Sequence, residues 1–488
     1  MSPAPVNGSA EPSGIREVII VGAGIAGLSA ACALSEAGFR VQLLERRPYV
    51  GGRASSYEHP GTAEMIDNCQ HVLLGCCTNL IHFYKTIGAE RSIRWFDNIT
   101  FVEPGGRRTT IRSSALPAPL HSAPSFLSAS MLTLEDKVGV GRALTSLTGA
   151  LPADSNENFQ TWLGRHRQTA RAIERFWRPV IVSALNDEPD RVSVRYAAQV
   201  FQESFLKSRT AGYLGVPAVP LGELYAHATD YISARKGQIE LRASVEAFRF
   251  SAETARWTVS TAVKTFEADA IIFAVPFDSM RKILPLIPGG ESLAVEAFQK
   301  SLERFQSSPI TGIHLWLDRV ITDLEQATLL ESPIQWIFQK ARLPPAKGSS
   351  SPGSYIQLVS SASVDMLSMS RQEILDLAMQ ELPQFFPAAT GAQIIKSAVV
   401  KEVQATFSVT PGLDASRAAH VSPWPRAFLA GDWTATGWPS TMEGATRSGY
   451  LAAQAVAAAA GRPARFLQPD LAPTGLMRLL LPARNGSR

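Results

Sequence analysis

Between Ile66 and Leu80 the chain reads IDNCQHVLLGCCTNL. One acid (Asp67), three amides (Asn68, Gln70, Asn79), one histidine (His71) and three cysteines share this short stretch. Three chemistries would use such a set: a metal site, a thiol nucleophile, or the wall of a cofactor pocket. A tetrahedral zinc site needs ligands whose spacing lets them converge. Here Cys69 and Cys76 have no C-x-x-C partner, and the adjacent Cys76 and Cys77 would point apart on a regular strand or helix. A thiol nucleophile needs a cationic neighbour that lowers its pKa. His71 could serve, but nothing else in the chain asks for covalent chemistry. The remaining reading is a cofactor-facing loop that presents Asp67, Gln70 and His71 to ring or substrate, with Cys76 and Cys77 as small buried packing residues.

The elements that would position such a loop begin near the N-terminus. Val18–Val21 is a run of branched apolar residues and reads as a buried parallel strand. Gly22, Gly24 and Gly27 follow as G-x-G-x-x-G, with Ala26 inside the turn, and Leu28–Leu34 is helix-forming. Gly38 ends that helix, and RVQLLE is a second strand closing on Glu45. In this context Gly22 permits a tight turn, Gly24 lets the backbone approach a pyrophosphate, and Gly27 lets helix and strand pack closely. The helix N-terminus offers unpaired N–H groups to phosphates, and Glu45 is placed to accept hydrogen bonds from a ribose. The same placed glycines argue against a membrane span over Val18–Leu34, which is also short of the roughly 20 apolar residues a span needs.

After Glu45 come Arg46 and Arg47, then a second glycine pair, Gly51 and Gly52, and Arg53. A second turn carrying an arginine can fold over the pyrophosphate and add a charge-assisted contact. At the far end of the chain, AFLAGD (Ala427–Asp432) reads as a short strand ending in Gly431 and Asp432, and a helix follows from Met442. Asp432 can bind a polyol hydroxyl, and the helix start can stabilise negative charge on a reduced ring. NAD would not need this distant module, whereas an extended FAD molecule does.

Composition agrees with an enzyme. The chain has 488 residues, 45% hydrophobic and 18% charged, with a net charge of +4. That is a folded composition with no concentrated basic stripe, so nucleic acid is not an expected partner. No apolar leader precedes the four cysteines, and residues 1–15 read as a flexible lead. Reduced thiols and a cytoplasmic protein are expected.

The motifs VGAGIAGLSAA…LLERRPYVGGRAS and AGDWTATGWPSTMEGATRSG resemble the FAD-dependent amine oxidase and phytoene desaturase superfamily. The resemblance implies an α/β fold, with a Rossmann-type FAD-binding domain and an inserted α+β substrate domain. On its pattern the FAD-binding domain takes residues 16–93, 222–300 and 410–461. The substrate domain takes 94–221 and 301–409, and 462–488 form a tail. IELRASVEAFRF resembles the strand that passes the adenine, with Val245 as the contact, and ADAIIFAVPFDSM the strand that ends near the pyrophosphate. Amine oxidases place a lysine on a substrate-domain strand, and Thr311 is read at that position, which argues against an amine substrate.

Within the superfamily, DNCQHVLLGCCTNLIHFYKTIG, ITGIHLWLDR and two helical stretches (116–144 and 176–201) are most similar to the hydroxysqualene dehydroxylases of hopanoid biosynthesis. Cys69 departs from that pattern, which has glycine there. The resemblance implies reductive removal of an allylic hydroxyl: an acid, Asp67 or His71, assists loss of water, and hydride arrives from reduced FAD. It also implies a polyisoprenoid substrate and contact with a membrane surface at its inner face. The segment Gly475–Arg484 could lie in a bilayer interface or pack back onto the body. Phe176, Trp177, Phe201 and Phe205 read either as a substrate tunnel or as ordinary core. One complete dinucleotide fingerprint is present, so the sequence assigns no electron donor to the flavin. The alternatives are a carotenoid-type desaturase, an amine oxidase, and a non-enzymatic prenyl carrier.

Overall fold

The computed structural model describes residues 14–289, 292–340 and 354–481. The N-terminal lead through residue 13 and the tail beyond residue 481 lie outside the described residues.

A five-stranded parallel sheet holds the nucleotide motifs. Its order is Gln238–Leu241, Arg40–Glu45, Glu17–Val21, Ala270–Phe273 and Ala427–Leu429. Glu17–Val21, Ala270–Phe273 and Ala427–Leu429 are short, apolar and buried on both faces, as a parallel sheet covered by helices requires, while the edge strand Gln238–Leu241 is partly exposed. The helix Ile25–Glu36 leaves the first strand and packs against Met442–Ala459, the last long helix. That contact depends on Gly449: a Cβ there would lie 2.2 Å from Ser29 Oγ and 2.3 Å from the Ala26 carbonyl oxygen.

A seven-stranded sheet forms the second layer, in the order Ile394–Phe407, Ser307–Leu317, Ser354–Ser361, Trp336–Gln339, Gln326–Leu329, Asn98–Val102 and Arg108–Arg112. The pairs are antiparallel except Gln326–Leu329 with Asn98–Val102. Its apolar face packs on the helix Arg371–Phe385, whose Ile374, Ala378 and Leu382 are buried. Helices between residues 123 and 206 share one apolar core, in which Val140, Trp162, Trp177 and Phe201 are buried, and two of their turns widen to π geometry, at Ile173–Trp177 and Gln202–Leu206. Among the described residues no helix is long and apolar enough to cross a membrane.

The residues read as a chemical stretch are strung between strand ends. Asp67 closes the strand Glu64–Asp67, which pairs with Ser56–His59, and Leu73–Leu74 pairs with Leu214–Pro217. The intervening residues 68–72 therefore form a short loop fixed at both ends.

Candidate active site

The glycine turn behaves as three different positions. Gly22 has φ +106°, and a Cβ on it would lie 2.5 Å from the Ala274 carbonyl oxygen. A Cβ on Gly27 would fall 1.9 Å from the Gly22 carbonyl oxygen. Both glycines are required by the protein itself. Gly24 is not: the nearest atom to its Cβ would be Gly52 Cα at 3.9 Å. The open face at Gly24 is room left for something other than protein. The helix that starts there has no side-chain cap, so its first N–H groups face that room.

The second glycine turn is stitched to the first. Gly51 N donates to the Ala23 carbonyl at 2.8 Å, Gly24 and Gly51 form a parallel bridge, and Arg47 Nη1 donates to the Gly52 carbonyl at 2.9 Å. Glu45 is buried, and its two oxygens accept from Ala23 N at 2.8 Å and Arg47 N at 2.9 Å. Arg46 is exposed just beyond. Ala243 N donates to the Glu45 carbonyl at 2.8 Å, so Val245, half-buried two residues on, starts its strand beside the same corner.

The C-terminal motif closes on this turn. Arg53 Nη2 donates to Asp432 Oδ1 at 2.6 Å and Arg53 Nη1 to the Ala405 carbonyl at 2.9 Å. Asp432 also accepts from Ser440. Gly431 N donates to Ser448 Oγ at 2.8 Å, and Trp433 Nε1 to the Val275 carbonyl at 2.8 Å. Arg417, buried, braces the motif from behind through the Asp432 carbonyl at 2.7 Å. Met442 opens the last helix after the Thr441 cap, its sulfur contacted by the hydroxyls of Tyr84 and Tyr225. Two chain ends nearly 400 positions apart thus frame one groove, with an open glycine face, an uncapped helix start and fixed carboxylates. The residues fit FAD: Gly24, Gly52 and Arg53 would hold its phosphates, Glu45 its ribose, and Gly431, Asp432 and Met442 its flavin end.

The loop 67–71 sits beside that turn. Asn68 Nδ2 donates to the Arg53 carbonyl at 3.1 Å. Asp67 is buried; Oδ1 accepts from Ser56 Oγ at 2.7 Å and Leu221 N at 3.0 Å, and Oδ2 from Lys340 Nζ at 3.0 Å. Burial pushes its pKa up, but the Lys340 charge and these hydrogen bonds outweigh burial and hold it below the usual carboxylate value. Asp67 is an acceptor here. Gln70 Oε1 accepts from Lys340 Nζ at 2.9 Å. His71 Nδ1 lies 2.9 Å from the Cys69 carbonyl, which can only accept, so the ring proton is on Nδ1 and Nε2 is left to accept. Burial lowers the His71 pKa, which keeps the ring neutral. Neither of the two acids expected in this loop is set up to give a proton: Asp67 is held ionised and accepts hydrogen bonds, and the Nδ1 proton of His71 is engaged by the Cys69 carbonyl, while Lys340 Nζ donates to both Asp67 and Gln70.

Lys340 is the residue that sequence reasoning missed. It follows the strand Trp336–Gln339, and its side chain is 11% exposed. The lysine sought on Ser307–Leu317 is absent there, and the register needs correction. Thr311 is fully buried and bonds Ser363 Oγ at 2.9 Å, away from the loop. The residue facing the loop is Gly312, whose Cβ would lie 3.4 Å from the Asn68 carbonyl oxygen and 3.6 Å from Cys69 Sγ. Side chains alternate along a strand, so a reading one residue off takes the wrong face. Gly312 also explains how Cys69 fits where a glycine was expected: the opposite strand gives up its side chain.

Cys69 is buried among apolar groups, which push its thiol pKa up to about 12. Cys77 is raised by its hydrogen bond with Cys76 and by burial. Neither has the environment of a nucleophile. Cys76 packs against Ala211 and Trp438. Among the described residues no His, Cys, Asp or Glu group is placed to hold a metal. Beside Lys340, Asp67 and Gln70 lies an apolar cluster: Cys69, Leu214, Val216, Phe338 and Val359 are buried together, with Val72, Phe96, Ile310 and Trp336 half-buried against them, while Asn68 Nδ2 also donates to Glu402 Oε2 at 2.9 Å. Of the four aromatics read as a tunnel or as core, Trp177 and Phe201 lie in the core, while Phe176 and Phe205 are half-buried beside them.

One consequence follows for Gly24. A valine there should leave the fold intact, because the protein offers no clash, yet fill the phosphate face. The purified variant should keep its circular dichroism and lose the flavin absorbance near 450 nm; retained flavin would remove Gly24 from the site.

Comparison with known proteins gives a consistent result. The profile described as "Flavin containing amine oxidoreductase" matches residues 25–457. The 15-cis-phytoene desaturase of Synechococcus elongatus is 26% identical over 460 residues, spanning 90% of this chain and 96% of its own. The probable zeta-carotene desaturase of the same organism is 26% identical over 481 residues, spanning 90% and 98%. Among solved structures, an oxidoreductase from Methanosarcina mazei superposes with TM-score 0.69 at 16% identity, covering 89% of this chain and 98% of that one. Cyclohexylamine oxidase from Brevibacterium oxydans gives 0.63 at 19%, covering 92% and 99%. At these identities the structures speak for the fold alone.

Proposed function

Because the chain belongs to the flavin-containing amine oxidoreductase family and is an FAD-dependent oxidoreductase, we propose that it moves hydride between the flavin and an allylic carbon of a polyisoprenoid. The observation that carries this is one small polar trio, Lys340, Asp67 and Gln70, set beside a buried apolar cluster. A hydrocarbon with a single reacting position needs a dry pocket and one place to exchange a proton. An amine would bring its own charge into those apolar surroundings. The relatives that match nine-tenths of the chain are named for isoprenoid substrates, which supports the same class.

When bound, FAD supplies a hydride donor or acceptor at N5. The chain's residues do the rest. The framed groove orients the ring, the apolar cluster excludes water, and the loop handles a proton. The finer reading is reductive dehydroxylation of hydroxysqualene to squalene. A Lys340 N–H is delivered to the allylic hydroxyl, the C–O bond breaks, water leaves with that proton, and hydride closes on the carbon. Asp67 and Gln70 hold Lys340 in place for that transfer. The motif resemblance in residues 67–88 favours this direction.

A second reading has its own support. Desaturation runs hydride from substrate to flavin and a proton from the neighbouring carbon to a base, leaving a new double bond. The relatives' names favour it, and His71 Nε2 is an acceptor at the right loop. Product analysis separates the two. Chemically reduced holoenzyme fed hydroxysqualene without oxygen should yield squalene in the first case. Oxidised holoenzyme fed phytoene should yield a product two hydrogens lighter in the second. Neither product from either incubation would reject the substrate class.

A further inference from the structure

The loop 67–71 lies across one face of the seven-stranded sheet and is held from two sides. Four neighbouring strands run in the order Ile394–Phe407, Ser307–Leu317, Ser354–Ser361 and Trp336–Gln339. Directly paired residues share a face, and side chains alternate along a strand. Glu402 pairs with Ile310, two residues before Gly312, so Glu402 and Gly312 share the face that meets the loop. Lys340 reaches the loop from the end of the fourth strand. Strands lie about 4.8 Å apart, so three spacings, roughly 14 Å, separate the two charged anchors. Lys340 holds Asp67 and Gln70 at one end. Glu402 holds Asn68 at the other, its Oε2 accepting from Asn68 Nδ2 at 2.9 Å.

The long strand is bent to bring Glu402 there. Ile310 pairs with Glu402 but Ser308 with Thr406, so a step of two residues on one strand spans four on the other. Such a bulge re-aims side chains and frees ladder groups. Here the Ala405 carbonyl accepts from Arg53 Nη1 at 2.9 Å. Asn186 pins the far side, its Nδ2 donating to the Ser308 carbonyl at 3.0 Å and to Thr406 Oγ1 at 2.9 Å. Bulge, loop and second glycine turn close a ring, because Asn68 Nδ2 also donates to the Arg53 carbonyl at 3.1 Å. Both N–H groups of the Asn68 amide are thereby used, which fixes the direction of its oxygen. The next residue, Cys69, carries the carbonyl that sets the His71 proton. Glu402 is half-buried, and its hydrogen bond goes to a neutral amide. A bond to a carboxylate is roughly twice as strong as a neutral one and orients the amide accordingly.

We propose that Glu402 is a positioning residue of the active site. It orients the Asn68 amide and pins the loop to the glycine turn, so that loop, groove and sheet keep one placement through turnover. The placement rests on the contacts alone; its effect on turnover rests on the proposed hydride transfer. Hydrogen exchange read by mass spectrometry on substrate-free holoenzyme tests the placement. In Glu402→Ala the amides of residues 68–72 should exchange roughly tenfold faster or more, as expected for losing a hydrogen bond to a charged group, while flavin absorbance and melting temperature hold. In Glu402→Gln, whose amide oxygen can accept the same bond, exchange should stay within about threefold of wild type. Reduced holoenzyme with hydroxysqualene and oxidised holoenzyme with phytoene test turnover. On whichever substrate the wild type converts, Glu402→Ala should lose roughly tenfold or more in kcat with KM little changed, and Glu402→Gln should recover most of it. Asn68→Ala combined with Glu402→Ala should be no worse than either alone, because the two act through one contact. Unchanged exchange in Glu402→Ala would overturn the proposal. So would Glu402→Gln behaving like Glu402→Ala, which would assign the effect to charge, or losses that multiply in the double variant. A wild type that converts neither isoprenoid would reject the substrate class, and the exchange rates would then decide the role of Glu402.

Discussion

Replacing Lys340 by methionine should lower turnover by roughly 10²–10⁴-fold, the usual range for losing a positioned proton-transfer group, and leave the flavin bound. The flavin should stay because Lys340 touches Asp67 and Gln70 and none of the groove residues at Gly24, Glu45 or Asp432. The variant should also lose stability with a particular pH dependence. In the native protein Asp67 is held below its ordinary value, because the Lys340 charge and hydrogen bonds from Leu221 N and Ser56 outweigh burial. A carboxylate with a depressed folded pKa contributes stability that is present above its unfolded value and lost as pH falls through the folded one. Without Lys340 that contribution shrinks at neutral pH, and Asp67 becomes a buried charge with fewer partners. Breaking such a pair from one side costs about 3–5 kcal/mol. The deficit should narrow as acid protonates Asp67. Urea unfolding at neutral and acid pH measures it. Adding Asp67→Asn should recover most of the stability and none of the turnover, which separates proton handling from packing. Turnover within threefold of wild type in the single variant would remove Lys340 from the chemistry.

The second large effect concerns the joint between the two chain ends. Gly449→Leu should abolish flavin retention and lower the melting temperature by several degrees. Its side chain would enter the Ala26 carbonyl and Ala30 N, at 2.3 and 3.0 Å from Cβ, and these backbone atoms belong to the first turns of the helix Ile25–Glu36. Overpacking of a tight contact costs about 1–3 kcal/mol even where side chains can move; here backbone must move, and it carries Gly24 with it. Gly141→Ala is the control. It lies in a helix with no atom within 4 Å of its Cβ, so replacement should be neutral or stabilising by up to about 1 kcal/mol. If Gly449→Leu keeps its flavin, the two modules do not share one cofactor in the way described.

How far the sequence was legible follows from where each constraint comes from. The turn at Gly22–Gly27 and the acid at Glu45 are local: strand, turn, helix and strand lie in one stretch, and backbone geometry demands those residue types at those places. The second glycine turn and the AGD motif were legible for the same reason. What joins them was not. Arg53 and Asp432 are 379 positions apart, and their ion pair exists only because parallel pairing sets Ala427–Leu429 beside Ala270–Phe273. Lys340 reaches Asp67 across 273 positions through the pairing of Trp336–Gln339 with Ser354–Ser361. No local pattern marks a lysine at a strand end as a partner of that aspartate. The error at Thr311 has a different cause. The strand was read correctly, but its facing residue is decided by register, and Gly312 carries no side chain to signal that it faces the loop. Cys69 is the complement of that fact, since its thiol occupies the space Gly312 leaves.

The proton-handling loop also turned out differently polarised from the expectation. A buried histidine looks like an acid in sequence, but the Cys69 carbonyl fixes its proton on Nδ1 and burial keeps it neutral. Such a ring accepts. On the proposed function, each direction of hydride transfer would then have its own group, Lys340 for a leaving hydroxyl and His71 for a proton lost from carbon.

The most direct test of the central claim is the flavin absorbance near 450 nm during anaerobic mixing of the holoenzyme with isoprenoid and amine substrates. The account predicts a stoichiometric change with an isoprenoid, either reappearance of the band when the reduced protein meets hydroxysqualene or bleaching when the oxidised protein meets phytoene. It predicts no change with an alkyl amine. Bleaching by the amine with a flat trace for both isoprenoids would contradict it.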